Sequence, residues 1–402
     1  MSNIEVTPMS FEPGVAPSDD TIPLCVPEIR GSEWEYVKEC LDTNWVSSAG
    51  PFVHRFERLV ADYVDAEHAV AIVNGTTALH LALLVAGIKA EEEVLVPALT
   101  FVAPANAVRY VNAFPTFIDV EPVHWQLDVN KLSEFLHNEC TRSEGRVLNK
   151  ATGRRVTAIL PVHILGHSCD MDPIVELAEK FGLVVVEDAT ESLGASYKGK
   201  KVGTGGDIGC FSFNGNKIIT TGGGGMIVTS RKDWADRARY LSTQAKDDPL
   251  EYVHADIGFN FRLPNVQAAI GCAQMEQLDR YIQKKRQIFE AYVQGFSDCQ
   301  AIGLQREAED VFSIYWMTTV TLDPAISKRG SRQVLQRLAS AKIQARPLWH
   351  PIYSLLPYRS CYSYKVEVAD RIYQTALSLP SSVGLTASDQ RRVIEEVLNA
   401  VS

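Results

Sequence analysis

From residue 69 onward the chain alternates short, mainly apolar runs with helix-length segments, and few folds accept that rhythm. The runs are Ala69–Val73, Val94–Val96, Thr116–Asp119, Val156–Ile164 and Leu183–Glu187. Between them lie segments read as helices: Thr76–Ala86, apolar on nearly all sides, Ala103–Val111 and Ile174–Phe181. A strand with no polar alternation has to be covered on both faces, which predicts an α/β fold with a mostly parallel sheet between helices. Right-handed crossovers then gather the loops leaving the strand C-termini on one edge, where ligands bind in such folds. With 402 residues and 46% hydrophobic content, one large domain and a smaller one can each bury a core. The expected division is an arm over 1–20, a large domain over 21–265, and a connecting helix with a smaller C-terminal α/β domain over 266–402.

Outside that rhythm, Glu28–Leu41 reads as a helix with Trp34, Val37 and Leu41 on one face. A glycine–proline loop, Trp45–Pro51, leads to a second helix carrying Phe52, Phe56, Leu59, Val60 and Tyr63. Residues 141–155 are basic and turn-rich and read as a hairpin inserted in the sheet domain, solvated in preference to forming a phosphate-contacting flap. One long helix is expected from Asn265 to about Gly295, a β segment over Ser313–Leu322, and helices over Ser331–Ala341 and Ala387–Val401.

A formal net charge of -10 gives no whole-chain attraction to nucleic acid or to an anionic membrane. Met1–Asp20 lacks the pattern of a signal peptide, and no apolar stretch approaches the ~20 residues that span a bilayer. None of the eight cysteines is spaced as Cys-x-x-Cys, so neither a zinc site nor a redox pair is indicated. No metal is expected, and a reducing cytoplasm is the expected location.

Three segments carry chemistry. Asn74-Gly75-Thr76-Thr77 follows the first strand and opens an apolar helix, so it reads as a helix cap or, at this edge, as a phosphate site. Asp188 ends a buried strand, where a carboxylate has to be paired; it either caps the next turn or faces a cation. Lys217 sits among small and aromatic residues, Cys210–Lys217, with glycines at Gly222–Gly225. Read alone it is a solvated loop lysine or a nucleophile in a partly dry pocket. No Gly-x-x-x-x-Gly-Lys-Ser/Thr motif accompanies the glycines, which excludes a nucleotide P-loop. Together the three segments supply an amine, an anion and phosphate donors, the set that pyridoxal phosphate needs. His163, on a sheet strand, reads equally as a satisfied structural histidine or a site residue.

In this order and spacing, Asn74–Leu79, Pro97–Ala107, Glu187–Ala195, Gly209–Lys217, Gly222–Gly225 and Gly258–Ala269 resemble the DegT-type family of sugar aminotransferases. The likeness runs from about Ile22 to the C-terminus. It implies pyridoxal-phosphate fold type I, with a seven-stranded, mostly parallel sheet flanked by helices. It also implies that Lys217 carries the cofactor covalently and moves protons, and that Asp188 pairs with the pyridinium. Gly75, Thr76 and Ser212 would hold the phosphate, and Phe101 would cover one ring face. Asn260 would reach the phosphate from a neighbouring subunit, making a homodimer with shared sites. Glu191 stands where many members have Gln or His, and two anions meeting there would repel unless a proton lies between them.

The resemblance further implies L-glutamate as donor and a nucleotide-linked keto sugar as acceptor, nearest to UDP-4-keto-6-deoxy-N-acetylhexosamines used for bacterial surface glycans. Trp45 and Ser48 in the 45–51 loop, and Arg346 and Trp349 in Ala345–Pro351, would contact it. Sugar-dehydrating relatives carry histidine in place of the lysine, so Lys217 argues against dehydration. A sensor without turnover would need an output module, for which the family-like span leaves no room.

Overall fold

The computed structural model describes residues 20–402 apart from 249, so the expected arm over 1–20 lies outside the described residues but for Asp20. In chain order come α1 (Glu33–Asp42), α2 (Pro51–Val64), β1 (His68–Ile72), α3 (Gly75–Val85), β2 (Glu93–Pro97), α4 (Ala103–Tyr110) and β3 (Phe114–Ile118). They are followed by α5 (Val129–Glu134), β4 (Cys140–Ser143), β5 (Arg146–Asn149), β6 (Arg155–Ile159), α6 (Met171–Phe181) and β7 (Val184–Asp188). The main sheet has the order β1, Gly225–Thr229, Ile208–Ser212, β7, β6, β2, β3 and Ser363–Tyr364, with the β4–β5 hairpin joined to β6, making ten strands. Pairing is parallel from Ile208–Ser212 through β3, while Gly225–Thr229 runs antiparallel to both neighbours. The seven strands the resemblance implies form its body; the hairpin and the C-terminal strand extend it.

Alternate residues of one strand serve two cores, which is why polarity does not alternate. Val94 and Val96 of β2 join one cluster with Phe117 and Val186, and Leu95 joins another with Ile118, Ile159 and Val185. Both faces of the sheet are therefore dry. A separate antiparallel sheet, Ile302–Leu304, Thr319–Leu322, Ala376–Ser378 and Arg346–Pro347, has its own core with Ile288, Tyr292, Leu338 and Val397.

Several expectations need correction. The first helix begins at Glu33, and Trp34 and Leu41 are 81% and 58% exposed. The buried positions are Glu33 and Cys40, because the Glu33 carboxylate takes the Gly31 N–H at 2.7 Å and the buried Gln274 amide at 2.5 Å. The helix expected over Asn265–Gly295 is two, Asn265–Met275 and Leu278–Gly295, parted at Glu276–Gln277 without a glycine or proline to signal it. In Ser313–Leu322 only Thr319–Leu322 is strand within the second sheet; Tyr315 has φ 45° and its neighbours fold against Gly166.

The β4–β5 hairpin pairs with the start of β6 (Val147↔Val156), at the end of the sheet opposite Asp188. The flap reading of residues 141–155 fails on this geometry. Arg154 and Arg155 pair with Glu91 and Glu92, and Arg142 donates to the Lys180 carbonyl. Asn149 and Thr152 give hydrogen bonds to the buried Glu93, at 2.9 and 2.6 Å. No helix among the described residues is long and apolar enough to cross a membrane, and all eight cysteines are free. Among the described residues no cluster of three or more His, Cys, Asp or Glu could hold a metal.

Candidate active site

At the C-terminal end of β7 two neighbouring carboxylates point to opposite faces of the sheet. Glu187 is fully buried and saturated: it accepts from His163 Nε2 at 2.8 Å, the Gly203 N–H at 2.8 Å and the Gly206 N–H at 2.6 Å. Burial pushes its pKa up, yet the donors hold it below the usual carboxylate value. His163 Nδ1 accepts the Cys169 N–H at 3.0 Å, which puts the ring proton on Nε2. His163 is thus a satisfied structural histidine.

Asp188 is only 2% exposed and takes the Thr190 N–H at 3.0 Å. Its pKa is raised because burial outweighs the Thr190 donors and the charge of Lys217. A carboxylate in this condition is stabilised by a cation brought to its face.

Lys217 follows the strand Ile208–Ser212 on a turn closed by its N–H to the Asn214 carbonyl. Its side chain is 13% exposed, with Nζ 3.5 Å from Glu191 Oε1 and 4.2 Å from the centre of the Trp316 ring. The other Glu191 oxygen accepts the N–H of Leu165 at 2.8 Å. Burial raises the Glu191 pKa, with Lys217 opposing it, so this carboxyl retains a proton more readily than a free one. That eases the repulsion expected if it faces a phenolate.

Beside them, Asn74 caps α3 by accepting the Thr77 N–H at 2.8 Å, leaving the first-turn N–H groups of an 11-residue helix directed at this edge. A Cβ on Gly75 would lie 2.8 Å from Ser212 Cβ and 3.1 Å from Thr190 Cγ2. Glycine here lets helix start, serine and threonine converge on one small space. Gly225 serves the same closeness, since a Cβ there would meet the Asn74 backbone at 2.6 Å. The donor set of Gly75, Thr76 and Ser212 suits a phosphate dianion, Asp188 a pyridinium and Lys217 an aldehyde. These residues fit pyridoxal phosphate.

The other sequence-predicted residues stand in different conditions. Phe101, between β2 and α4, is 53% exposed, an aromatic the core does not use. Trp45 is 53% exposed and Ser48 is exposed too. Trp349 is half-buried against the main core, and the Ile352 N–H to the Ala98 carbonyl, 3.0 Å, ties this segment to the loop after β2. Arg346 is exposed, on a strand paired with Ser378. Asn260 is exposed, and its backbone bridges to Thr243.

Sequence reasoning missed Thr190, Trp316 and Asn265. Buried Asn265 holds the 45–51 loop by accepting the Phe52 N–H at 2.9 Å and donating to the Trp45 carbonyl at 2.7 Å. An asparagine after Pro264 at a helix start was the available signal. Nothing local marked Trp316, which lies 99 positions beyond Lys217 and meets it only in the fold.

Residues 27–398 match the model of the DegT/DnrJ/EryC1/StrS aminotransferase family. The GDP-perosamine synthase of Caulobacter vibrioides is 40% identical, over 93% of this chain and 96% of that protein. EpsN of Bacillus subtilis, named as a pyridoxal phosphate-dependent aminotransferase, is 38% identical over 94% of this chain and 95% of its own. A solved structure of DesI in the presence of its TDP-sugar product superposes with a TM-score of 0.85 at 27% identity, covering 96% of this chain and 95% of that one. The chain belongs to the DegT/DnrJ/EryC1/StrS family and is a pyridoxal phosphate-dependent sugar aminotransferase.

Proposed function

We propose that this chain moves an amino group from L-glutamate to a keto sugar carried on a nucleoside diphosphate. The observation that carries the reading is the meeting of Lys217, Glu191, Asp188 and the Gly75–Ser212 cradle at one sheet edge. Pyridoxal phosphate, when bound, supplies an aldehyde that takes amines covalently and a ring that draws electrons from the adjoining carbon. Lys217 holds it at rest. When free, Nζ would take the proton from the donor's α carbon and return one during the second half-reaction, and with the sugar it would work in reverse. Asp188 would keep the ring nitrogen of that group protonated, and Glu191 would offer a proton to its ring oxygen. The first turn of α3, with Thr76 and Ser212, anchors the phosphate. Phe101 would cover a ring face.

Trp45, Ser48, Arg346 and Trp349 are the proposed contacts for the acceptor, and Asn260 the contribution of a second subunit, so the working form is a homodimer. The eight free cysteines suit a reducing cytoplasm. The 45–51 motif favours a UDP-linked 4-keto-6-deoxy-N-acetylhexosamine, whereas the perosamine synthase relatives favour a GDP-linked keto sugar. The basic hairpin no longer argues for either. To test this, the enzyme is loaded with amino groups from L-glutamate and then offered each acceptor. The expected outcome is recovery of the starting absorbance with one nucleotide-linked keto sugar and none with pyruvate or oxaloacetate. Rapid recovery with the simple keto acids alone would overturn the substrate assignment.

A further inference from the structure

Lys217 works only if its amine stays in place while it is off the cofactor, and a lysine side chain has four rotatable bonds to lose it through. Glu191 at 3.5 Å holds one side. The other side is Trp316, which is 5% exposed and comes from the segment after the second long helix. Its indole N–H donates to the carbonyl of Asn216, the residue before Lys217, at 2.7 Å, while its ring centre lies 4.2 Å from Nζ. One side chain therefore holds both the backbone and the amine of Lys217, the second by the attraction of a cation to an aromatic face.

Trp316 is itself anchored from two directions. Lys285, 2% exposed on the helix Leu278–Gly295, donates to the Trp316 carbonyl at 2.8 Å and also to the Ser381 carbonyl. On the other side Gly166 closes against it: a Cβ there would lie 2.5 Å from the Trp316 nitrogen, and the Gly166 carbonyl takes the Ile314 N–H at 3.0 Å. Gly166 follows Leu165, whose N–H holds Glu191. Both restraints on the amine thus come from one docked pair of segments, 163–167 and 313–316. Cys25 adds its Sγ–H to the same Asn216 carbonyl at 3.2 Å.

We infer that Trp316 is a positioning residue for Lys217, holding the free amine in line for proton transfer between cofactor and substrate carbons. This rests on the role proposed for Lys217, which borohydride mapping of the wild-type protein tests separately. The experiment compares wild type, Trp316→Phe and Trp316→Leu. In the cofactor-free protein, brief labelling with acetic anhydride is read at each lysine by mass spectrometry, with exposed Lys89 and Lys200 as internal standards. Loss of the aromatic face in Trp316→Leu should raise labelling of Lys217 about five-fold relative to those standards. Trp316→Phe keeps a face but loses the N–H to Asn216, and should raise it about two-fold.

In the loaded protein the first half-reaction with L-glutamate should slow about ten-fold or more in Trp316→Leu, with glutamate saturation little changed. The effect of deuterium at the donor's α carbon should increase in both variants, because proton transfer becomes the slow step. Trp316→Phe fills most of the same volume and decides the matter alone if the leucine variant does not fold. Unchanged Lys217 labelling, or a half-reaction and isotope effect equal to wild type in the folded variants, would overturn the inference. So would a slowing accounted for entirely by lost cofactor binding.

Discussion

Glu187 and Asp188 are adjacent on one strand, equally buried, and opposite in condition. Glu187 meets three donors on its face and its pKa falls; Asp188 meets Thr190 and the more distant charge of Lys217, and its pKa rises. The same contrast separates the two ends of the sheet. At the N-terminal end Glu93 is satisfied by Thr116, Asn149 and Thr152, whereas the C-terminal end gathers Asp188, Glu191 and Lys217. A buried charge that its own chain has satisfied is part of the fold; one left raised by burial is poised for a partner. The comparison places His163 and Glu187 with the fold and leaves Asp188 for the proposed chemistry, although Asp188 is next to Glu187 in the chain and His163 bonds to Glu187.

The largest effect should come at Lys217. Lys217→Ala removes anchor and proton carrier together, so turnover should fall about 10⁴-fold or more in a steady-state assay. Next, Asp188→Asn should cost about 10²–10³-fold in the glutamate half-reaction. Because burial already disfavours its charge, the cofactor-free variant should melt no lower than wild type. Glu187→Gln should do the reverse: a loss of about 2 kcal/mol of stability in denaturant titration, with the half-reaction rate of the folded, loaded protein preserved. A rate collapse in Glu187→Gln with stability intact would break the comparison. Glu191→Gln, which mimics a protonated carboxyl, should stay within about ten-fold of wild type.

The last effect is in pH. His167 is fully buried, stacks edge-on against Tyr315, and neither ring nitrogen has a hydrogen-bond partner, so burial lowers its pKa from 6.5 to about 3. A base whose folded pKa is depressed resists protonation in the native state, so stability is lost as pH falls below 6.5, and the loss is complete near 3. At pH 5 it amounts to about 2 kcal/mol. The stability of His167→Phe should therefore fall less than that of wild type between pH 7 and pH 5, by about that difference. Parallel pH dependences would show that His167 titrates normally.

Much of this was legible in the chain because the signals are local. Continuous apolar runs announced the buried parallel strands, and Asp188 and Lys217 stood out as charges in apolar or small-residue settings. What escaped was decided by distant partners. Trp34 and Leu41 have helical spacing, but buried Glu33 turned α1 the other way by binding Gln274. Trp316 reads as part of a strand until Gly166 and Lys285 fold it over Lys217. The basic residues of the hairpin invited a phosphate role, and only the pairing of β5 with the start of β6 reveals which end of the sheet they occupy.

The central claim is that Lys217, in the cradle beside Asp188, carries the cofactor. The direct measurement is borohydride reduction of the cofactor-loaded protein, followed by digestion and mass spectrometry of every lysine. The account predicts one modified site, Lys217, and its absence in Lys217→Ala. Modification at the buried Lys285, at Lys201 or at any other lysine while Lys217 stays free would contradict it.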